Sequence, residues 1–241
     1  MLESIKTYLM TTIRSILMTA LVAGLPVLAS AQEINNLVLK AKQKIEKVND
    51  YEASGRMKTN VTFLKVPVAT VKIYFKKPNK LKVKSEKGIS FIPKGAVNIN
   101  MNNLLGTNDY TIIDAGKEML AGTQVRVARL LPNDDNSDVV LSTIYIDEAN
   151  NLIKKAKTTT RDNGTYELEM TYGKLAAYGL PDKIIFSFNT KDYKLPKGVT
   201  FDFDDGSNKK PGDKSKNKKG TAEITFSNYV INKGLPESVF L

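Results

Sequence analysis

The sequence predicts a mainly β, α+β protein: about ten antiparallel strands following a single helix. Three observations predict it. Residues 68–86 alternate apolar and polar side chains on either side of Lys77-Pro78-Asn79-Lys80, the period of two that marks half-buried strands. Short segments of the same kind then succeed one another to the C-terminus, separated by turn residues. Only one stretch, residues 33–49, carries a helical apolar period. Sequential strands joined by short turns form a meander, and a meander of this length is expected to curl into a barrel or half-barrel.

Residues 1–31 read as a secretory leader. Lys6 and Arg14 supply a basic start, residues 16–28 an apolar run, and Ala29-Ser30-Ala31 a small-residue cleavage site before Gln32. The apolar run is short for a membrane span, and a start at Met10 would give a more usual leader length. Residues 32–241 are then expected to form one domain, exported and soluble because no cysteine follows the cleavage site for acylation. With no cysteine there are no disulfides, so the apolar core must hold the fold by itself.

The helix of residues 33–49 places Ile34, Leu37, Val38, Ala41, Ile45 and Val48 on one face, and Asn49-Asp50 stops it. Residues 51–64 alternate as a first strand, ended before Pro67. In the 68–86 hairpin, Ala69, Val71, Ile73 and Phe75 share a face, and beyond the turn Leu81 and Val83 oppose Lys80, Lys82 and Lys84. Later strands are expected at 110–114, 123–131, 139–147, 152–160, 165–172, 183–188 and 221–230, with turns at 132–135, 150–151 and 162–164. Tyr166, Leu168, Met170 and Tyr172 against Glu167, Glu169 and Thr171 is the cleanest alternation of all.

Two segments break the pattern. Residues 88–106 hold one charge, Lys94, but Ile89, Phe91, Ile92, Val97, Ile99, Met101, Leu104 and Leu105. An apolar segment without a strand period suits either a lid over an open sheet face or a core connection with a short helix at 101–105. Residues 202–220 pass from aspartates to a run of lysines and read as a solvated loop.

The formal net charge of +11 fits an anionic partner, whether a membrane surface, an acidic protein or nucleic acid, and equally a solubilising surface. Export and the lack of a recognisable binding motif disfavour nucleic acid. There is no histidine and no cysteine. That removes the Ser-His-Asp and Cys-His nucleophiles, the imidazole base and the usual zinc ligands. Asp202, Asp204 and Asp205, and Asp134, Asp135 and Asp138, lack calcium-loop spacing. Glu167 and Glu169 share a strand face, and surface glutamates opposite basic neighbours explain them as well as a paired-carboxylate site does. No glycine-rich phosphate loop follows a strand. No enzyme, cofactor or metal is expected, and what remains is apolar inward surface. A half-barrel so lined either packs solid or leaves a cavity for an acyl chain. Met57, Met101, Met119 and Met170 would suit an adaptable pocket, though methionine is also a gap-filler.

The order of these features resembles the LolA family of periplasmic carriers of outer-membrane lipoproteins. The resemblance is carried by Phe75-Lys76-Lys77-Pro78-Asn79-Lys80-Leu81, by Ile144-Tyr145-Ile146-Asp147 with Ile153 and Tyr166-Glu167-Leu168, and by Ile224-Thr225-Phe226-Ser227-Asn228-Tyr229 with Gly234 and Phe240. It implies an incomplete antiparallel barrel whose concave face, closed by a helical or loop lid, takes up acyl chains. The cavity residues it implies are Met57, Phe63, Val71, Ile73, Phe75, Leu81, Val83, Tyr166, Leu168, Met170, Tyr172 and Phe226. The lid is Ile89, Phe91, Ile92, Ile99, Met101, Leu104 and Leu105. Lys77 stands where the family has an arginine that tethers the lid, and offers a point charge instead of a planar fork. Leu81 stands where the family has an aromatic residue. The expectation is a monomeric periplasmic carrier of lipoprotein acyl chains or another lipid, with an inner-membrane donor and an outer-membrane acceptor protein. A lipid- or stress-sensing binding protein and a solid-core interaction module stay open beside it.

Overall fold

In the computed structural model, which describes residues 25–61, 64–65, 68–78, 80–87, 109–162, 164–189 and 219–241, every strand belongs to one antiparallel sheet. A helix, α1 (Leu25–Glu46), leads into β1 (Asp50–Val61), β2 (Leu64–Lys65), β3 (Ala69–Lys76) and β4 (Lys80–Lys87). Then follow β5 (Tyr110–Leu120), β6 (Thr123–Pro132), β7 (Val139–Asp147), β8 (Leu152–Thr160) and β9 (Gly164–Thr171). A 3₁₀ turn, η1 (Ala176–Tyr178), precedes β10 (Lys183–Asn189) and β11 (Lys219–Ile231), and η2 (Glu237–Val239) ends the chain.

The spatial order is β4-β3-β1-β11-β10-β9-β8-β7-β6-β5, with β2 folded back on β1. The long-range pairing of β1 with β11 inserts the C-terminal strand between the N-terminal hairpin and the meander. Strands β4 and β5 end the order, so the sheet curls without closing. This is the half-barrel expected, with one strand more than the ten foreseen because the first strand stops at Val61 and turns back as β2.

Three boundaries differ from expectation. The helix begins at Leu25 instead of residue 33, since residues 25–31 are mostly good helix formers and Pro26 falls in the first turn, where its missing N–H costs nothing. It ends at Glu46, and Lys47 N and Val48 N close it with i→i−3 bonds to Lys44 O and Ile45 O at 3.3 and 3.1 Å. Strand β5 continues to Leu120, past the expected end at residue 114, through a bulge between Asp114 and Lys117. Gly116 supplies the positive φ of +88° there, and its N–H donates to Asp114 Oδ1 at 2.9 Å.

One face of the sheet is apolar along its whole width, and the helix covers only part of it. Ile34, Val38, Ala41 and Ile45 of α1 pack with Leu130, Ile144, Ile146, Ile153, Leu168 and Phe186. A second cluster, Ala53, Met57, Ala69, Val71 and Ile73, lies under β1 and β3 with Leu81, Val83, Ile224 and Phe226 half-buried around it. The opposite face is charged: Lys155 meets Glu167 at 3.5 Å and Glu169 at 3.8 Å, the basic neighbours expected for those glutamates. Among the described residues no helix is long and apolar enough to cross a membrane.

Candidate functional site

Between the two clusters the concave face is not filled. A cavity of about 100 Å³ opens there, floored by β1, β3, β4, β9, β10 and β11 and walled by the end of α1 and the segment after η1. The period of two builds the floor. Register sets Tyr51 opposite Phe75, Ile73 opposite Val83, and Phe75 opposite Leu81. Met57 lies opposite Ile224, and Ile184 between Ile224 and Met170. The wall depends on a close approach. Gly179, at φ +65°, brings η1 against Ile45, where an added Cβ would sit 2.9 Å from Ile45 Cγ1.

Of the expected cavity residues, Met57, Ile73, Phe75, Leu81, Val83, Leu168, Met170 and Phe226 line this space. Val71 is fully buried in the cluster beneath it, and Tyr166 and Tyr172 pack against the helix-covered core instead. Phe63 lies outside the described residues, as do all seven lid positions: Ile89, Phe91, Ile92, Ile99, Met101, Leu104 and Leu105. Met119, considered for an adaptable pocket, is 68% exposed near the end of edge strand β5, opposite Gln124 and away from the cavity lining.

Sequence reasoning missed Ile45, Val48, Leu180, Pro181, Ile184, Phe186, Ala222, Ile224, Tyr51 and Tyr229, which also line the cavity. Ile184-Ile224 and Phe186-Ala222 could have been found from alternation in strands already recognised. Leu180 and Pro181 could not, since a 3₁₀ turn carries no extended period.

The lining holds no charged side chain among the described residues. Its polar side chains are two tyrosines, set in an aromatic group. Tyr51 stacks on Phe75 with centroids 5.2 Å apart and meets Tyr229 edge-on at 5.6 Å. Phe226 lies 4.9 Å from Tyr229. Burial pushes the phenols of Tyr51 and Tyr229 far above the ordinary tyrosine value, with Tyr51, Asp182 and Tyr172 adding to the effect at Tyr229. Both stay neutral, so the site can offer apolar contact and neutral hydrogen bonds. Among the described residues no group of three histidine, cysteine, aspartate or glutamate side chains could hold a metal ion.

A polar clasp adjoins the site. Lys77 Nζ donates to Glu46 O at 2.5 Å and Asn49 Oδ1 at 3.3 Å, and Lys77 N donates to Asn49 O at 2.8 Å. The residue expected to tether a lid thus holds the carboxyl end of α1, where a cation also meets the helix dipole. The C-terminal tail closes on the same place. Lys76 Nζ donates to Leu235 O at 2.7 Å and pairs with Glu237 at 2.9 Å, and Lys80 pairs with Glu237 as well.

These lysines, Lys80 first and then Lys76, hold the Glu237 carboxyl below its ordinary value of 4.5. A depressed carboxylate contributes its stability above the unfolded-state value and loses it as pH falls through the folded one. The tail contact should therefore be complete at neutral pH and weaken as pH drops below about 4.5. Amide protection of Val239 and Phe240, whose N–H groups donate to Pro236 O and Glu237 O, is expected to fall over that range in an NMR exchange series. In Glu237→Gln the acid step should be absent. Because Glu237 is largely exposed, global stability should hardly follow.

No sequence-family model matches the chain, and no curated protein matches it by sequence. Solved structures do match by fold. A DUF1329 family protein from Desulfovibrio piger superposes with a TM-score of 0.56 at 13% identity, over 88% of this chain and 97% of that one. A Vibrio parahaemolyticus domain named for outer-membrane lipoprotein sorting gives 0.54 at 13% identity, over 85% and 94%. A LolA superfamily protein from Nitrosomonas europaea aligns at 11% identity over 83% and 97%, with a TM-score of 0.48. At such identities the likeness is one of fold alone: the first two structures share the open antiparallel half-barrel.

Proposed function

We propose that the protein binds acyl chains, of a lipoprotein or another lipid, on the concave face of its half-barrel and carries them through the periplasm toward the outer membrane. The observation that carries this reading is the cavity itself: an apolar, uncharged lining on the face that α1 leaves partly uncovered. Apolar surface at the mouth of a soluble domain is stabilised by removing it from water, by about 25 cal/mol per Å². A lipid chain can do that without chemistry, so the protein acts as a carrier and no catalytic step is assigned. The fold likeness to a domain named for lipoprotein sorting points the same way.

Lys82 and Lys84 lie on the face of β4 opposite Leu81 and Val83. They give the edge strand a basic exterior suited to an anionic membrane or to acidic donor and acceptor proteins. The working form proposed is a monomer, since one chain supplies the whole floor of the cavity.

The volume of about 100 Å³ is below the roughly 300–1,000 Å³ usual for ligand pockets. Loading an acyl chain therefore requires Met57, Phe226 and their neighbours to move apart. That observation favours a second reading, a solid-core interaction module. Native mass spectrometry of protein purified gently from its own envelope decides between them. Co-purifying lipid or acylated protein supports the carrier. A bare protein that also ignores added acyl probes leaves the interaction module.

A further inference from the structure

The tyrosines of the concave face are not in equivalent states. Tyr229 donates its hydroxyl to Pro181 O at 2.8 Å, and Tyr172 donates to Ile153 O at 2.7 Å. Tyr166 is hydrogen-bonded with Thr158. Tyr51 makes ring contacts with Phe75 and Tyr229, but its hydroxyl has no hydrogen-bond partner among the described residues. Phenols in apolar surroundings normally find a partner, because a donor left without one forfeits its desolvation cost. Among the described residues no sealed side-chain polar atom lacks a partner, so this hydroxyl is reachable and not entombed. It belongs to a side chain that lines the cavity and is held in place by stacking.

We infer that Tyr51 is a specificity-determining hydrogen-bond donor, its phenolic O–H binding the neutral ester carbonyl at the polar end of an acyl ligand whose chain enters the cavity. The inference rests on the acyl-binding reading above and adds which group of the ligand is read. Ligand pockets of this kind are mostly apolar and fix orientation through very few polar groups. With Tyr229 committed to Pro181, Tyr51 supplies the free side-chain donor among the described lining residues.

The charge of the lining decides which carbonyl. No lysine or arginine among the described residues lines the cavity. A free carboxylate would enter it without a counter-ion, at a large desolvation cost. An ester presents the same carbonyl oxygen without the charge. Burial keeps the Tyr51 phenol protonated across any pH the protein meets, so it remains a donor throughout. The ester is therefore preferred to the free acid, and to an ether that has no carbonyl.

The test titrates the full chain with three probes of equal chain length: the glycerol monoester of hexadecanoic acid, hexadecylglycerol ether, and hexadecanoic acid at neutral pH. The wild type is expected to bind the ester about two- to tenfold more tightly than the ether, the ratio one net hydrogen bond supplies. Tyr51→Phe keeps the ring and removes the donor. It should bind ester and ether alike, with ether affinity unchanged. A wild type with no ester-to-ether difference, a variant that keeps the difference, or tighter binding of the free acid would each overturn the role of Tyr51 and leave acyl binding standing. Failure to bind any of the three overturns the acyl-binding reading and this inference with it. The wild-type ratio needs no variant, so the test survives even if Tyr51→Phe melts early.

Discussion

Val83→Trp is expected to reduce the binding of an acyl probe at least tenfold while the protein stays folded. Val83 is half-buried on edge strand β4, opposite Ile73, and lines the cavity. An indole there enters a space of about 100 Å³ and competes directly with a chain. Overpacking a closed core costs about 1–3 kcal/mol, but an edge strand beside an open mouth can shift, so the melting temperature should move by only a few degrees. Ile73 itself is a poorer probe. It is 4% exposed and packed with Ala53, Met57 and Val71, so a charge at that position would unfold the sheet and say nothing of the cavity. Lys84→Trp, on the outer face of the same strand, serves as the control and should leave probe binding alone. Unaltered binding in Val83→Trp would place the ligand elsewhere. A collapse in stability would mean that the position is packed core, as the solid interaction module requires.

How far this site was legible in the sequence depends on the element. Where a strand alternates without interruption, as in β3 with Ala69, Val71, Ile73 and Phe75, the buried face could be read residue by residue, and burial follows it. Where a bulge intervenes, the reading failed. The bulge at Gly116 between Asp114 and Lys117 lets β5 continue past its expected end. Pairing was less legible still. Nothing local in Ala53 or Met57 announces Tyr229 or Ile224 as its neighbour, because antiparallel pairing between distant segments is settled by the whole sheet. Much of the missed cavity wall comes from β10, β11 and the segment after η1, which only the long-range pairing brings beside β1. The lid that Lys77 was expected to tether lies outside the described residues. A lysine before the hairpin proline can reach whatever carbonyls lie near, and in this fold those of Glu46 and the side chain of Asn49 do.

The other large effect is expected at Asp50→Ala, which should destabilise the protein by about 2–3 kcal/mol. Asp50 is only 6% exposed, at the start of β1 and next to Tyr51. Its Oδ1 accepts N–H bonds from Lys233 at 3.0 Å and Gly234 at 3.1 Å, and Oδ2 is also 3.1 Å from Gly234 N. Its backbone carbonyl accepts from Asn232 N at 2.8 Å. Asn232 returns the contact: its Oδ1 accepts from Asn49 N at 2.7 Å, and its Nδ2 donates to Lys47 O at 2.9 Å. Bonds to a charged acceptor are worth about 1.5–3 kcal/mol each, less where water can replace them. Lys233 and Gly234 are exposed, so the sum is reduced by rehydration and falls near the value of one full bond. Asp50→Asn keeps an oxygen acceptor and gives up the charge, and about 1 kcal/mol is expected for it. Denaturant unfolding of both variants measures the difference, and equal losses would show that the charge contributes nothing. A loss below about 0.5 kcal/mol in Asp50→Ala would mean that the tail is not held by this carboxylate. The consequence reaches the cavity. The same turn that binds Asp50 leads into Leu235 and Glu237, which engage Lys76 and Lys80 around the base of the β3–β4 hairpin. Loosening it should therefore raise amide exchange at Phe75 and Leu81, on the cavity floor, before it does so at Ile144 in the helix-covered core.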